Sequence, residues 1–155
     1  MPAQTPVQLN DTAVYRFDDR NLRWLKLGDF EHFLLAMYDI DSKRKVVDFV
    51  LKFAPNEQIF LHRHLALTNT LVIQGEHRVY EPNGRPKEIR KVGSYTSSNP
   101  GEPHREGGGV EGAVVFYSVR TEGDELFDVL DDSGKVTGKL TMQDFADLLN
   151  QSKAT

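Results

Sequence analysis

Short β-rich runs, each ended by a turn signal, succeed one another through most of the chain, and they leave little room for any architecture but an all-β one. The runs from His32 to Ile40 and from Lys45 to Phe53 flank the polar cluster Asp41-Ser42-Lys43-Arg44 and read as a hairpin. Thr70 to Gln74 and His77 to Tyr80 are strand-like and are separated at Gly75-Glu76. Pro82-Asn83-Gly84-Arg85-Pro86 follows, and its Asn-Gly pair supplies the positive φ values a tight hairpin turn needs. Ala113 to Arg120 is the clearest buried strand, and Leu126 to Leu130 precedes another turn at Asp131-Asp132-Ser133-Gly134. The stretch from Asn99 to Gly109, rich in Gly and Pro, reads as irregular, with Gly107-Gly108-Gly109 as a flexible bend.

Helical periodicity is confined to the tail. Thr141-Met142-Gln143-Asp144 resembles a capping box, and Met142, Phe145, Leu148 and Leu149 then fall on one face of a helix over about 141–150. Residues 1–12 are polar, contain two prolines and read as an arm, so 13–155 form one domain. A chain of 155 residues is long enough for one core and short for two.

Charge and cysteine usage remove several functions. A net charge of -4 argues against nucleic-acid binding, which needs a basic face. No run approaches the ~18 apolar residues of a membrane span. With no cysteine, thiolate metal sites and thiol nucleophiles are excluded, and a cytoplasmic protein is expected. No Ser-His-Asp set, phosphate loop or paired carboxylates compete for the active centre.

The five histidines carry the remaining information. His62 and His64 are two residues apart, so on a strand both rings project from one face. Phe60 shares that face, and Val72, Gln74, Tyr80 and Phe116 are further candidates for the wall of a pocket. His32, at the start of a run, reads as structural.

The segments around these histidines resemble the two conserved stretches of the cupin superfamily. His62-x-His64 with the closing Gly75 matches the first, and Gly93, Gly101 and His104 match the second. The glutamate usual in the first stretch is replaced by Thr68 or Asn69, and the usual proline falls at Asn99, one residue before Pro100. The resemblance implies a double-stranded β-helix, the cupin jelly-roll barrel, with a short C-terminal helix. It implies His62, His64 and His104 as ligands of one divalent ion; Asn69, at the place of the usual glutamate, and His77, just past Gly75 on the next strand, are candidates for a place behind them.

An all-histidine set is similar to that of the acetylacetone-cleaving dioxygenases, with the cupin domain of ChrR-type anti-sigma factors as a second relative. That likeness implies an Fe(II) dioxygenase cleaving a C–C bond in a small β-dicarbonyl or hydroxyketone. The alternative is a non-catalytic zinc-binding module acting as a ligand sensor or regulatory partner. Imidazole ligation suits iron, zinc, nickel and copper alike. A small carbonyl compound is the expected partner, together with a homodimer or larger assembly in which Trp24 and the strand from His32 would form an interface.

Overall fold

The computed structural model describes residues 1–7 and 15–153. The expected arm over 1–12 therefore lies partly outside the described residues, and residues 1–7 are exposed and without regular structure. Nine strands and one helix follow among the described residues: β1 (Phe33–Asp41), β2 (Val46–Phe53), β3 (His62–His64), β4 (Leu67–Tyr80), β5 (Pro86–Lys91), β6 (Tyr95–Ser98), β7 (Arg105–Arg120), β8 (Glu125–Leu130), β9 (Val136–Thr141) and α1 (Met142–Lys153).

Two antiparallel sheets share the core. The larger runs β1-β2-β7-β4-β5, with β6 also paired to β4, and the smaller runs β3-β8-β9. This is a jelly roll. The expected hairpins form where turn chemistry demands them. Asp41 accepts the Arg44 backbone N–H at 2.8 Å, and Gly84, at φ 86°, closes the β4–β5 turn.

Alternation decides which side chains enter the core. In β3, His62 and His64 face inward while Arg63 points out and donates to Asp128 on β8, which Lys139 on β9 also reaches. Burial works against the Asp128 carboxylate, but hydrogen bonds from Lys139 and Arg63 prevail and hold its pKa below the usual range. Leu35, Phe49, Phe53, Val115, Tyr117, Val119 and Leu126 fill the interior between the sheets.

The helix obeys its sequence signal. Thr141 N–H donates to Asp144 at 2.8 Å and Asp144 N–H donates back to Thr141 Oγ1 at 3.3 Å, a reciprocal cap. Met142, Phe145 and Leu148 are buried and belong to the main core, with Phe145 stacked on Phe49 at 5.1 Å. The helix is too short and polar to cross a membrane, and among the described residues no other helix does so.

The structure departs from the sequence reading in two places, β4 and the glycine run. β4 does not stop at Gly75; it continues through two irregularities, between Val72 and Gln74 and between Gly75 and His77. Gly75, at φ 74°, makes this possible, as glycine does in a bulge. Gly107-Gly108-Gly109 is not a flexible bend but the buried first half of β7, where backbone approaches too closely for a side chain. A Cβ on Gly107 would lie 2.0 Å from Glu57 O. Trp24 packs with Phe17 and Leu22 on the outer face of the larger sheet, donates to Asp19 at 2.9 Å and is covered by Lys52, so its ring is engaged within the chain.

Gly75 therefore has no room for change. A Cβ there would lie 2.2 Å from the Gly112 carbonyl oxygen, in a backbone conformation that disfavours side chains. Gly75→Ala is expected to cost about 2–4 kcal/mol in chemical denaturation. A loss below about 1 kcal/mol would show that the bulge relaxes freely.

Candidate metal centre

His62 and His64 reach the interior from β3 in the smaller sheet. His104 is brought beside them by a backbone bridge: His62 N–H donates to His104 O at 3.1 Å, and His104 N–H donates to His62 O at 2.9 Å. Two residues further on, at the start of β7, Glu106 enters from the larger sheet. The ligand atoms of His62, His64, His104 and Glu106 all lie within 4.8 Å of one another.

Hydrogen bonds orient each ring. His62 Nδ1–H donates to Phe60 O at 3.0 Å, and His104 Nδ1–H donates to Glu102 O at 3.2 Å. Thr68 Oγ1 donates to Ala66 O at 3.1 Å, which leaves its lone pairs to accept from His64 Nδ1–H, also at 3.1 Å. This network assigns the hydrogen to Nδ1 in all three rings and leaves three Nε2 lone pairs converging on one point.

At that point stands Glu106 Oε2, 2.7 Å from His62 Nε2, 3.3 Å from His104 Nε2 and 3.5 Å from His64 Nε2. His64 Nε2 is buried and has no hydrogen-bond partner. Converging lone pairs and a carboxylate repel one another unless a cation lies between them. The donor set thus fits a divalent ion: ligand atoms about 2.1 Å from an ion are about 3 Å apart when adjacent, the scale seen here. Three imidazoles and one carboxylate suit iron, zinc, nickel or copper.

The other carboxylate oxygen is also fixed. Tyr117 Oη donates to Glu106 Oε1 at 2.6 Å, and His77 Nε2–H donates to it at 2.8 Å. His77 is fully buried, with Phe53 stacked on its ring at 5.4 Å. Burial, together with the neighbouring Glu106 charge, pushes the Tyr117 pKa well above its usual value, so the phenol remains a donor.

The electrostatics of the metal-free centre follow from these contacts. With no metal bound, a ring proton takes the cation's place: burial opposes the Glu106 charge, but hydrogen bonding from His104, His62 and His77 outweighs it and holds the carboxyl well below its usual pKa. Burial, only partly offset by Glu106, lowers the His64 pKa to about 4. His104 is less deeply set; burial lowers its pKa, but the hydrogen bond and charge of Glu106 win and raise it.

Two spaces adjoin the centre. A void of about 40 Å³ on one side is apolar, with Phe60, Phe127 and Phe145 among its walls beside His62 and His64. A polar cavity of about 180 Å³ lies on the other, against His64, His104 and Glu106, and is lined by Thr70, Arg90 and Thr96.

The structure brings together His62, His64 and His104, with His77 behind them and Phe60 at the apolar side. It does not bring in the other candidates. Gln74 is turned outward by the irregularity after Val72 and accepts the Phe17 N–H at 3.0 Å. Phe116 lies on the outer face of β7, beside Tyr38, because Tyr117 takes the inner position. Val72 is packed in the core, and Tyr80 is buried at the end of β4; neither lines either space. Asn69 alternates away from Thr68 and Thr70, so Thr68 is the residue that steadies His64.

Beside the three expected histidines stands a fourth candidate ligand, Glu106, which the sequence reading missed. Its signal was the spacing His104-x-Glu106, the same two-residue rule that joins His62 to His64. It went unread because the neighbouring glycines disguised the strand.

No family model matches the chain, and no curated protein matches its sequence. Solved structures do share its fold. An RmlC-like cupin protein from Ralstonia eutropha JMP134 superposes with a TM-score of 0.71 at 18% identity, over 92% of this chain and 89% of that one. An acetylacetone dioxygenase from Acinetobacter johnsonii gives 0.70 at 11% identity, over 97% and 99%. The polyketide cyclase RemF from Streptomyces resistomycificus gives 0.55 at 18%, over 71% and 81%. The chain therefore has the cupin jelly-roll fold, similar to that of acetylacetone dioxygenase, with a His-His-His-Glu cluster able to hold a metal.

Two outcomes test this electrostatic picture. His64 binds its proton less readily folded than unfolded, so the metal-free protein gains stability as pH rises from about 4 towards 6.5 and loses it as pH falls through that window. A separation that wide is worth on the order of 3 kcal/mol, and Glu106 acts in the same direction at lower pH. Denaturation of metal-free protein at pH 6 and pH 4.5, below the range in which the raised pKa of His104 acts in the opposite sense, should show this loss; equal stability would refute it. Thr68→Val removes the acceptor for His64 Nδ1–H and is expected to weaken metal affinity by roughly 10- to 100-fold in competitive chelator titrations. Unchanged affinity would mean that the ring needs no such support.

Proposed function

We propose that this chain is a metal-dependent cupin enzyme, an Fe(II) dioxygenase that cleaves a C–C bond in a small β-dicarbonyl or hydroxyketone. The observation that carries the proposal is the position of the His62, His64, His104 and Glu106 cluster between an apolar void and a polar cavity. A site meant only to stabilise a barrel needs neither space. The likeness in fold to acetylacetone dioxygenase adds support of a coarser kind.

An iron ion held there would polarise a chelated carbonyl and supply the redox chemistry towards dioxygen. The protein's own contribution lies in position and proton placement. Three rings fixed through Nδ1 present their lone pairs without further reorganisation. Tyr117 and His77 donate hydrogen bonds to Glu106 Oε1, which favours the ionised carboxylate and leaves Oε2 to face the rings. Phe60, Phe127 and Phe145 keep water away on the apolar side, and a substrate's oxygens approach from the polar one.

One observation favours a second reading, a non-catalytic zinc module. Three histidines and a glutamate make four protein donors, the number that fills a closed tetrahedral zinc site. Anaerobic loading with Fe(II), followed by oxygen-uptake measurements with a panel of β-diketones, separates the two. Uptake matched to substrate loss is expected, and it should vanish in His104→Ala together with the bound metal. Silence with iron, accompanied by tight one-to-one zinc, would transfer the protein to the second reading.

A further inference from the structure

The polar cavity contains a cation that the centre does not need. Arg90, on edge strand β5, pairs with His77 across β4, and its side chain turns into the fold rather than out to solvent. Only 16% of that side chain is exposed. Its guanidinium donates to Glu88 at 3.0 Å and to Thr96 Oγ1 at 3.4 Å, while its buried Nε–H has no partner at all. Desolvating an arginine and leaving a donor unmatched is costly, and such a cost at a cavity wall points to a missing acceptor.

The surroundings define that acceptor. Thr96 Oγ1 hydrogen-bonds Thr70 Oγ1 at 2.5 Å, so two hydroxyls stand beside the guanidinium. Lys87 lines the same cavity, as do the carboxylates Glu88 and Glu102, with Glu106 at the floor. The Glu88 side chain is 46% exposed, so its hold on Arg90 is weakened by solvent. A dipositive ion held among the histidines would tip the balance of the cavity to positive. At about 180 Å³ the cavity has room for a small organic acid.

We propose that Arg90 anchors the carboxylate of a small oxo acid, whose neighbouring carbonyl oxygen lies towards the His62, His64, His104 and Glu106 centre. The proposal rests on the enzyme reading above and narrows its substrate class from neutral diketones to anionic β-keto acids. Planar guanidinium matches carboxylate in two-point geometry, which a lysine does not reproduce. Arg90 is thus a specificity residue: it selects the charged end and leaves the reacting carbon to the centre.

The alternative is that Arg90 serves only as counter-ion to Glu88 and Glu106. Calorimetric titration of anaerobic Fe(II)-loaded protein with acetoacetate, its neutral ethyl ester and acetylacetone distinguishes the two. Acetoacetate should bind on the order of ten- to a hundredfold more tightly than either neutral probe, and the preference should weaken with salt. In Arg90→Gln the preference should shrink below about threefold, and Arg90→Lys should retain part of it. Melting curves of both variants confirm folding, and Glu88→Gln should sharpen the preference by removing the competing carboxylate.

Equal binding of acid and ester, or a preference that survives Arg90→Gln, would overturn the assignment. So would the binding of none of the three probes. Oxygen uptake recorded on the same samples keeps the two readings apart. Tight acetoacetate binding without uptake supports the anchor and refutes the dioxygenase, whereas uptake with acetylacetone alone refutes the anchor and keeps the dioxygenase.

Discussion

One buried carboxylate holds the architecture of the centre together. Glu106 divides its two oxygens between two tasks: Oε2 faces three imidazole nitrogens, and Oε1 is gripped by Tyr117 and His77. An ionised group this deep would be ruinous in an apolar core, since desolvation alone costs several kcal/mol. It persists because every neighbour within reach is a donor or a cation's ligand. Tyr117 and His77 come from β7 and β4 of the larger sheet, while His62 and His64 come from the smaller one. The carboxylate is therefore the point at which the two sheets are tied electrostatically as well as by apolar packing.

The path of β7 explains how this is achieved. His104 bridges to His62 in the smaller sheet, and within two residues the chain has joined the larger one. Gly107 and Gly108 permit that crossing because the Glu57 carbonyl presses against the first and the Gly112 backbone against the second, while the Glu76 side chain lies against Gly109. Arg63, Asp128 and Lys139 fasten the smaller sheet from outside. The rings on β3 are thereby positioned before any ligand arrives, which is the condition for a centre that binds without reorganising.

Much of this was legible in the residues. Hairpin turns were signalled by Asp41 to Arg44 and by Asn83-Gly84, the helix by its cap at Thr141 and its apolar stripe, and the ligand pair by His62-x-His64. What escaped had a common physical cause: alternation is readable only where register is known. The irregularity after Val72 turned Gln74 outward, and a one-residue difference separated Phe116 from Tyr117. Glu106 was hidden because glycine-rich sequence reads as loop, although here glycine marks close backbone contact inside a strand. Thr68 was visible only as a missing glutamate, and its bond to His64 needed coordinates.

The helix at the chain's end has one more consequence. All four donors are present by residue 106, yet the floor beneath two of them includes Phe145, thirty-nine positions later. Loss of that helix would therefore open the apolar void beside His62 and His64 without removing any of the four donors.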